Sequence, residues 1–312
     1  MFTKRNFNDI SNKDLTYCIR HPESCVPANI DYIKMQLYSR LKRANGVTYV
    51  CFDFDGTIAK TNGFPTKFLV RLYKYFNYCK KSDTNKGINF LKFEYIVGKF
   101  LISKNKPNKT SNEVEFVKCL QKAANMTNRE VWNTLSCFYG KYFENIVKET
   151  HKPIKEVVNL VNELTKRDDV RVVITSMPFL RSSAMLTRLK SVGVRADKID
   201  FVAGAENIYS GHSKTSGFYR QVAYRLGIEL QRKGEKPKNA NMIVVGNTIG
   251  SDTPQNLGIQ SILIKDTLVG RKSSIPDNVY LANLQNIRGM TNFLIDQNNA
   301  LKKYKPTEYK EM

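Results

Sequence analysis

The chain has 312 residues, of which 41% are hydrophobic, so it can bury a substantial core and wholesale disorder is excluded. Its 50 Lys and Arg against 28 Asp and Glu give a net charge of +22, which favours anionic partners such as a phosphorylated substrate, an acidic protein or nucleic acid. The sequence contains no run of about 18 apolar residues and no apolar signal stretch near its start, so we expect no membrane insertion and no secretion. A cytoplasmic or nuclear protein, or a virion component, is expected.

Two elements are predicted in the first part of the chain. Residues 1–46 form an N-terminal extension with one amphipathic helix at Asp31–Lys42, which is expected to pack on the core or to bind a partner. Val47–Phe52 is short, apolar and rich in β-formers, and this pattern predicts a buried strand.

The next region, residues 66–152, has the patterns of several helices. Between Lys60 and Lys152 the chain carries 18 Lys and Arg against seven Asp and Glu. The predicted helices are Phe68–Phe76, Phe90–Ile102, Asn112–Ala124 and Asn128–Lys148. We interpret this region as a basic helical subdomain that is inserted after the first strand.

Strands and helices then alternate. The further predicted strands are Val170–Ile174, Ile199–Val202, Met242–Val245 and Ile259–Ile264. The predicted helices between them are Lys155–Arg167, Arg181–Val192 and Gly217–Leu226. This alternation predicts an α/β fold with a doubly wound, mainly parallel sheet formed by residues 47–65 and 153–296. Residues 297–312 form a charged tail that is expected to be loose.

Two carboxylates follow the first strand, at Asp53 and Asp55. Residues at i and i+2 of an extended chain point to the same side, and the carboxyl edge of a parallel sheet is the usual ligand crevice. Gly56 permits a sharp turn whose N–H groups can face an anion, and paired carboxylates favour Mg²⁺ between them. A calcium loop would require Glu at its twelfth position, where this chain has Phe64.

The sequence DFDGT at residues 53–57 resembles the first motif of the haloacid dehalogenase (HAD) superfamily. Similar matches to its three later motifs follow in order: VVITS with Thr175 and Ser176, GHSK with Lys214, and VVGNTIGSD with Asn247 and Asp252. The resemblance covers roughly Val47–Lys265, and it implies a Rossmann-like core with a helical cap.

The resemblance implies a role for each matched residue. Asp53 would attack phosphorus and form an aspartyl-phosphate, and Asp55 would protonate the leaving oxygen and then activate water. Thr175 would hold a phosphate oxygen, and Lys214 would neutralise negative charge around the nucleophile and the phosphate. Lys190 is the alternative candidate for the role of Lys214. HAD dehalogenases lack the second aspartate, so its presence favours phosphoryl chemistry.

Further residues are expected to bind substrate or metal. The substrate-binding candidates are Gly56, Thr57, Lys60 and Ser176. The candidate ligands for Mg²⁺ are Asp53, Asp55, Asn247 and Asp252. The family usually has Asp where this chain has Asn247, and a neutral amide is a weaker ligand for Mg²⁺ than a carboxylate. Two outcomes therefore remain open: an active Mg²⁺-dependent phosphatase, or a HAD scaffold with weak or lost activity.

The substrate also has alternatives. The default is a small phosphomonoester or a phosphoprotein. The loop at residues 57–66 resembles that of polynucleotide 3′-phosphatases, and the basic insertion would then bind a nucleic acid strand. The Lys-, Asn- and Tyr-rich composition also resembles that of insect baculoviruses and nudiviruses, whose HAD-type phosphatase serves nucleocapsid assembly; capsid proteins would then be partners.

Overall fold

The computed structural model describes residues 47–102, 111–176, 179–209, 214, 216–228, 241–254, 257, 259–270 and 279–303. The helix predicted at Asp31–Lys42 lies outside these residues. Within the described ranges, no helix is both long enough and apolar enough to cross a membrane.

In the described residues, eight strands form two sheets. They are β1 (Thr48–Phe52), β2 (Ala59–Thr61), β3 (His151–Pro153), β4 (Val170–Ile174), β5 (Phe201–Val202), β6 (Asn241–Gly246), β7 (Gln260–Ile264) and β8 (Val279–Ala282). The main sheet has the order β5-β4-β1-β6-β7-β8, and every neighbouring pair is parallel. Numbered along the chain, this is the order 3-2-1-4-5-6 of a doubly wound sheet, which reverses direction beside β1. The predicted fold class is confirmed.

Nine helices are described. They are α1 (Phe64–Thr84), α2 (Phe90–Ile102), α3 (Asn112–Ala124), α4 (Asn128–Phe138), α5 (Glu144–Thr150), α6 (Lys155–Leu164), α7 (Ser182–Ser191), α8 (Ser216–Arg225) and α9 (Leu284–Lys303). A π-helical turn at Tyr139–Phe143 joins α4 to α5. The bounds of α2 and α3 agree with the prediction, whereas α1 is longer than predicted at both ends.

Helices cover both faces of the main sheet. Val50 and Phe52 of β1 pack with residues of α6, α7 and α9, whereas Tyr49 and Cys51 pack on the other face with residues of α8. This alternation follows from the pleat of the strand, which sends successive side chains to opposite faces. Since both faces are buried, the strands read as continuous apolar segments.

The helices α1–α5 enclose a second hydrophobic core, rich in phenylalanine. Each fully buried phenylalanine contributes about 1.5–3 kcal/mol. Helix α1 begins after Gly63, which has φ 69°, with proline in its first turn, and α4 begins with a capping box between Thr127 and Glu130. The antiparallel strands β2 and β3 lead into and out of this helical insertion.

Some elements were not predicted from the sequence. The β2–β3 pair, the edge strand β8 and helix α9 are absent from the predicted elements. The tail predicted as loose begins inside α9, which continues to Lys303. The predicted strand at Ile199–Val202 is reduced to Phe201–Val202.

Candidate active site

Three adjacent strands place candidate residues at one edge of the main sheet. Asp53 and Thr175 follow the last residues of β1 and β4, and Asn247 follows β6. The main-chain N–H of Asp53 donates to Val245 (2.8 Å), and that of Thr175 donates to Phe52 (2.8 Å), so the strand pairing continues into the site. The three side chains therefore meet at the crevice where the sheet reverses direction.

Lys214 lies between two buried carboxylates. Its Nζ is 2.8 Å from Oδ1 of Asp53 and also donates to Oδ1 of Asp252. Burial alone would lower the pKa of Lys214, but the two carboxylates raise it above its usual value. Burial raises the pKa of Asp53 to about 7 although Lys214 opposes this change. The rival candidate, Lys190, is exposed on α7.

Asp252 holds the loop that follows β6. Its Oδ2 accepts hydrogen bonds from the main-chain N–H groups of Asn247 (3.0 Å) and Thr248 (2.9 Å). A Cβ atom at Gly246 would lie 2.3 Å from this carboxylate, so only glycine fits there. Both oxygens of Asp252 are thus engaged within the protein, one by Lys214 and one by the loop.

Gly56 and Asn247 pack against each other across the site. Gly56 has φ +79°, and a Cβ atom there would lie 2.2 Å from Nδ2 of Asn247. That nitrogen donates to the main-chain carbonyl of Thr267 (2.9 Å), which directs Oδ1 of Asn247 the other way. Gly56 therefore makes room for Asn247 in addition to permitting the turn.

Asp55 is held by Arg188, a residue that the sequence analysis did not select. The two terminal nitrogens of Arg188 each donate to one oxygen of Asp55. Ser176 also donates to Oδ2 of Asp55 (3.2 Å). Burial acts to raise the pKa of Asp55, but Arg188, with a hydrogen bond from Thr61, brings the pKa below its usual value.

Two hydroxyl groups near these carboxylates are buried. Among the described residues, Oγ1 of Thr57 has no hydrogen-bond partner, and Oγ1 of Thr175 faces the buried phenol of Tyr219. A buried hydroxyl left unpaired costs about 1–3 kcal/mol. Such groups at the carboxyl edge of a parallel sheet are suited to hydrogen-bonding a ligand.

Lys60 is not brought into the cluster. It lies on β2 opposite Lys152 and is exposed, between buried Ala59 and half-buried Thr61. Successive side chains of a strand alternate, and Thr61 is the neighbour that bonds Asp55, so Lys60 points away from it.

Arg188 and His151 are the site-associated residues that sequence reasoning missed. One signal was available for Arg188: it lies at helical spacing from Ala184 and Met185, both buried, and therefore on the core-facing side of its helix. Arginine is almost never fully buried unless it is paired, so this position called for a carboxylate partner. No comparable pattern marked His151.

The oxygen atoms of the site fit a magnesium ion. No group of three or more His, Cys, Asp or Glu side chains in the described part of the chain is arranged to hold a metal. The oxygens that could bind the ion are instead those of Asp53, whose Oδ1 is paired with Lys214, the main-chain carbonyl of Asp55, and Oδ1 of Asn247, which also accepts a hydrogen bond from the hydroxyl of Thr248 (3.3 Å). Mg²⁺ is commonly bound through one or two carboxylates and keeps several waters, so this set is sufficient.

The fold and site define an α/β protein with a carboxylate-centred site at the strand ends. A model of the haloacid dehalogenase-like hydrolase family matches residues 50–262, and the chain belongs to this family. No curated protein matches the chain.

Three solved structures are similar to this chain, and the agreement in fold rests on the first of them. A 2-haloacid dehalogenase from Pseudomonas syringae pv. tomato is 13% identical with a TM-score of 0.52, over 80% of this chain and 99% of that one. A HAD phosphatase from Thermococcus onnurineus is 16% identical with a TM-score of 0.45, over 78% and 97%. A putative HAD hydrolase of Bacillus subtilis, described as bound to magnesium, is 14% identical with a TM-score of 0.40, over 79% and 99%.

Proposed function

We propose that this HAD hydrolase is a Mg²⁺-dependent phosphomonoesterase that works through an aspartyl-phosphate on Asp53. One observation carries the proposal: the Asp53 carboxylate, 5% exposed and paired with Lys214, lies at the same edge of the sheet as the buried hydroxyl of Thr175. A buried cation and a hydroxyl near a carboxylate are suited to receive a phosphate group.

The proposed reaction has two steps. An oxygen of Asp53 attacks phosphorus, the bond from phosphorus to the leaving oxygen breaks, and that oxygen takes a proton from Asp55. A water then attacks phosphorus, gives its proton to Asp55 and breaks the bond between phosphorus and Asp53, which releases phosphate. The ion pair with Arg188 favours the carboxylate form of Asp55, which the second step needs, so Asp55 must take up a proton before the first step can use it as an acid.

The other residues act on the phosphate group and its charge. Lys214 offsets negative charge between Asp53 and the bound phosphate, and the hydroxyls of Thr57 and Thr175 donate to phosphate oxygens. Asp53, the carbonyl of Asp55 and Asn247 would hold Mg²⁺, with Asp252 keeping the loop in place. When bound, the ion supplies positive charge that polarises the phosphoryl group.

The basic insertion supports an anionic substrate. Residues 60–152 carry 18 Lys and Arg against seven Asp and Glu. Such a field concentrates phosphorylated ligands near the site. The polynucleotide and nucleocapsid-assembly interpretations remain predictions.

The proposal is tested by hydrolysis of p-nitrophenyl phosphate with Mg²⁺ and with chelator, in the wild type, Asp53→Asn and Lys190→Met. We expect turnover that depends on Mg²⁺, that is lost in Asp53→Asn and that is unchanged in Lys190→Met, because Lys190 is exposed and outside the cluster. Turnover that survives Asp53→Asn would overturn the assignment of the nucleophile.

A further inference from the structure

The guanidinium of Arg188 is buried where the core meets the helical insertion. Arg188 lies on α7 with 1% of its surface exposed. A buried charge destabilises the fold unless its partners compensate it. The groups that contact this guanidinium must therefore offset the loss of its hydration.

The N–H groups of Arg188 are shared between Asp55 and His151. The terminal nitrogens donate to the two oxygens of Asp55, and Nε donates to Nε2 of His151 (2.7 Å). One side chain therefore contacts both the proposed proton-transfer carboxylate and the first residue of β3, the strand that returns from the insertion.

Two aromatic rings complete the environment of this guanidinium. Its central carbon is 4.2 Å from the ring centroid of Phe54 and 4.4 Å from that of Phe64. Phe64 is the first residue of α1, and its ring also meets the His151 ring edge-on, with centroids 4.9 Å apart. Both chain crossings into the insertion thus contribute a ring beside Arg188.

The hydrogen bonds run outward from Arg188, to Asp55 on one side and through His151 into the insertion on the other. Arginine has no acceptor, so Nε2 of His151 must accept, and Nδ1 carries the proton of the neutral ring. Nδ1 then donates to Oγ1 of Thr150 (2.8 Å), whose hydroxyl donates to the main-chain carbonyl of Ile146 (2.6 Å). Burial, followed by the charge of Arg188, lowers the pKa of His151 to about 4, so the ring is neutral at pH 7.

We propose that Arg188 is a positioning residue that holds the Asp55 carboxylate in orientation and couples it to the β2–β3 pair, through which the chain enters and leaves the insertion and which is called the hinge below. The catalytic part of this inference rests on the proposed function, because it takes Asp55 as the group that moves protons. The coupling to the hinge does not depend on that function.

The catalytic part is tested by a double-mutant cycle on p-nitrophenyl phosphate. We expect Arg188→Met to lower kcat about 100-fold, the usual cost of a misplaced catalytic group, while KM changes little. Arg188→Lys should also lose turnover, because an ammonium cannot bind both oxygens and stack between two rings. In the Asp55→Asn background, Arg188→Met should cause no further loss; an equal loss in both backgrounds would indicate a merely structural role and overturn the proposal.

The matched control is Arg71→Met. Arg71 also binds a carboxylate with two hydrogen bonds, to Glu149 beside the hinge, but it is partly exposed and does not contact Asp55. We expect this variant to keep the wild-type kcat. A loss of kcat as large as that of Arg188→Met would show that any ion pair near the hinge has the same effect, which would contradict the proposal.

The coupling is tested without turnover by hydrogen exchange. The N–H of Asn62 donates to Thr150 (2.9 Å), and that of Ile154 donates to Ile58 (2.9 Å), so these amides report on the hinge. We expect Asp55→Asn and Arg188→Met to raise their exchange rates, and Arg71→Met to leave them unchanged. Unchanged exchange in the first two variants would overturn the coupling. If the wild type shows no turnover that depends on Asp53, the proposed function is refuted. The exchange rates would still decide whether Asp55 and Arg188 are coupled to the hinge.

Discussion

The side-chain amide of Asn247 donates to the main-chain carbonyl of Thr267, 2.9 Å away, across the edge of the site. An aspartate at this position could not donate, and it would place a carboxylate oxygen against the carbonyl. The asparagine is therefore matched to its surroundings as they stand. Its cost would fall on the proposed metal site, where it would offer Mg²⁺ a neutral oxygen in place of a charged one.

Asn247→Asp should change stability in opposite directions with and without metal. In chelator we expect a loss of about 1–3 kcal/mol, because a buried hydrogen bond is lost and another carboxylate joins Asp53 and Asp252. With Mg²⁺ we expect a larger rise in melting temperature than the wild type shows, since the carboxylate binds the ion more strongly. Melting curves over a series of Mg²⁺ concentrations measure both effects.

Asn207→Asp is the matched control for that substitution. Asn207 is equally buried and donates its side-chain amide to the carbonyl of Val202 (3.0 Å), outside the carboxylate cluster. It should lose stability in chelator without any gain from Mg²⁺. If the two variants respond alike to Mg²⁺, Asn247 is not a ligand.

Lys214→Met should destabilise the fold more than most single substitutions. It removes the cation between Asp53 and Asp252 and leaves two carboxylates buried side by side, for which about 3–5 kcal/mol is typical. Urea unfolding measures the change. Lys190→Met, on an exposed lysine, should be close to neutral. Adding Asp252→Asn to Lys214→Met should restore part of the loss; no recovery would show that Lys214 acts through packing.

The elements that could be predicted from the sequence are those whose buried side chains are apolar. The strands β1 and β4 are continuous apolar segments, and the predictions place them correctly to within one residue. Helix α9 was missed because its buried face includes Thr291 and Asn298, which weaken the apolar period that marks a helix. The edge strand β8 was missed because it is short and mostly exposed.

The site follows the same division. The structure brings together Asp53, Thr175, Lys214 and Asp252. Each of them lies in a short motif that could be recognised from its immediate neighbours in the sequence. Arg188 contacts Asp55 from 133 residues away in the chain, and His151 contacts Arg188 from 37 residues away. The helical spacing of Arg188 marks its burial but not its partners, because these depend on how the insertion returns to the core.

Thr175→Val should separate binding from stability. Valine has nearly the shape of threonine and removes a buried hydroxyl that faces only the phenol of Tyr219 among the described residues, so the free energy of unfolding should change by less than about 1 kcal/mol. Inorganic phosphate should bind more weakly, because a donor is lost. Calorimetric titration and urea unfolding measure the two effects. Thr291→Val, whose hydroxyl donates to Ile287 (2.9 Å), should lose stability instead. A loss of stability in Thr175→Val as large as that in Thr291→Val would contradict the assignment of the Thr175 hydroxyl to a ligand.

The neutral state of His151 should make stability depend on pH. Burial lowers its pKa from 6.5 to about 4, so between these values the unfolded chain binds a proton that the folded chain does not. Stability should therefore fall as the pH decreases through this window, by roughly 1–3 kcal/mol from this residue.

His151→Gln keeps an acceptor for Arg188 but does not titrate, so the stability of this variant should fall less. The raised pKa of Asp53 acts with the opposite sign in both proteins and cancels in the difference. Urea unfolding at pH 7.5 and pH 4.5 measures the two slopes, and equal slopes would mean that His151 is already protonated in the folded state or is not buried there.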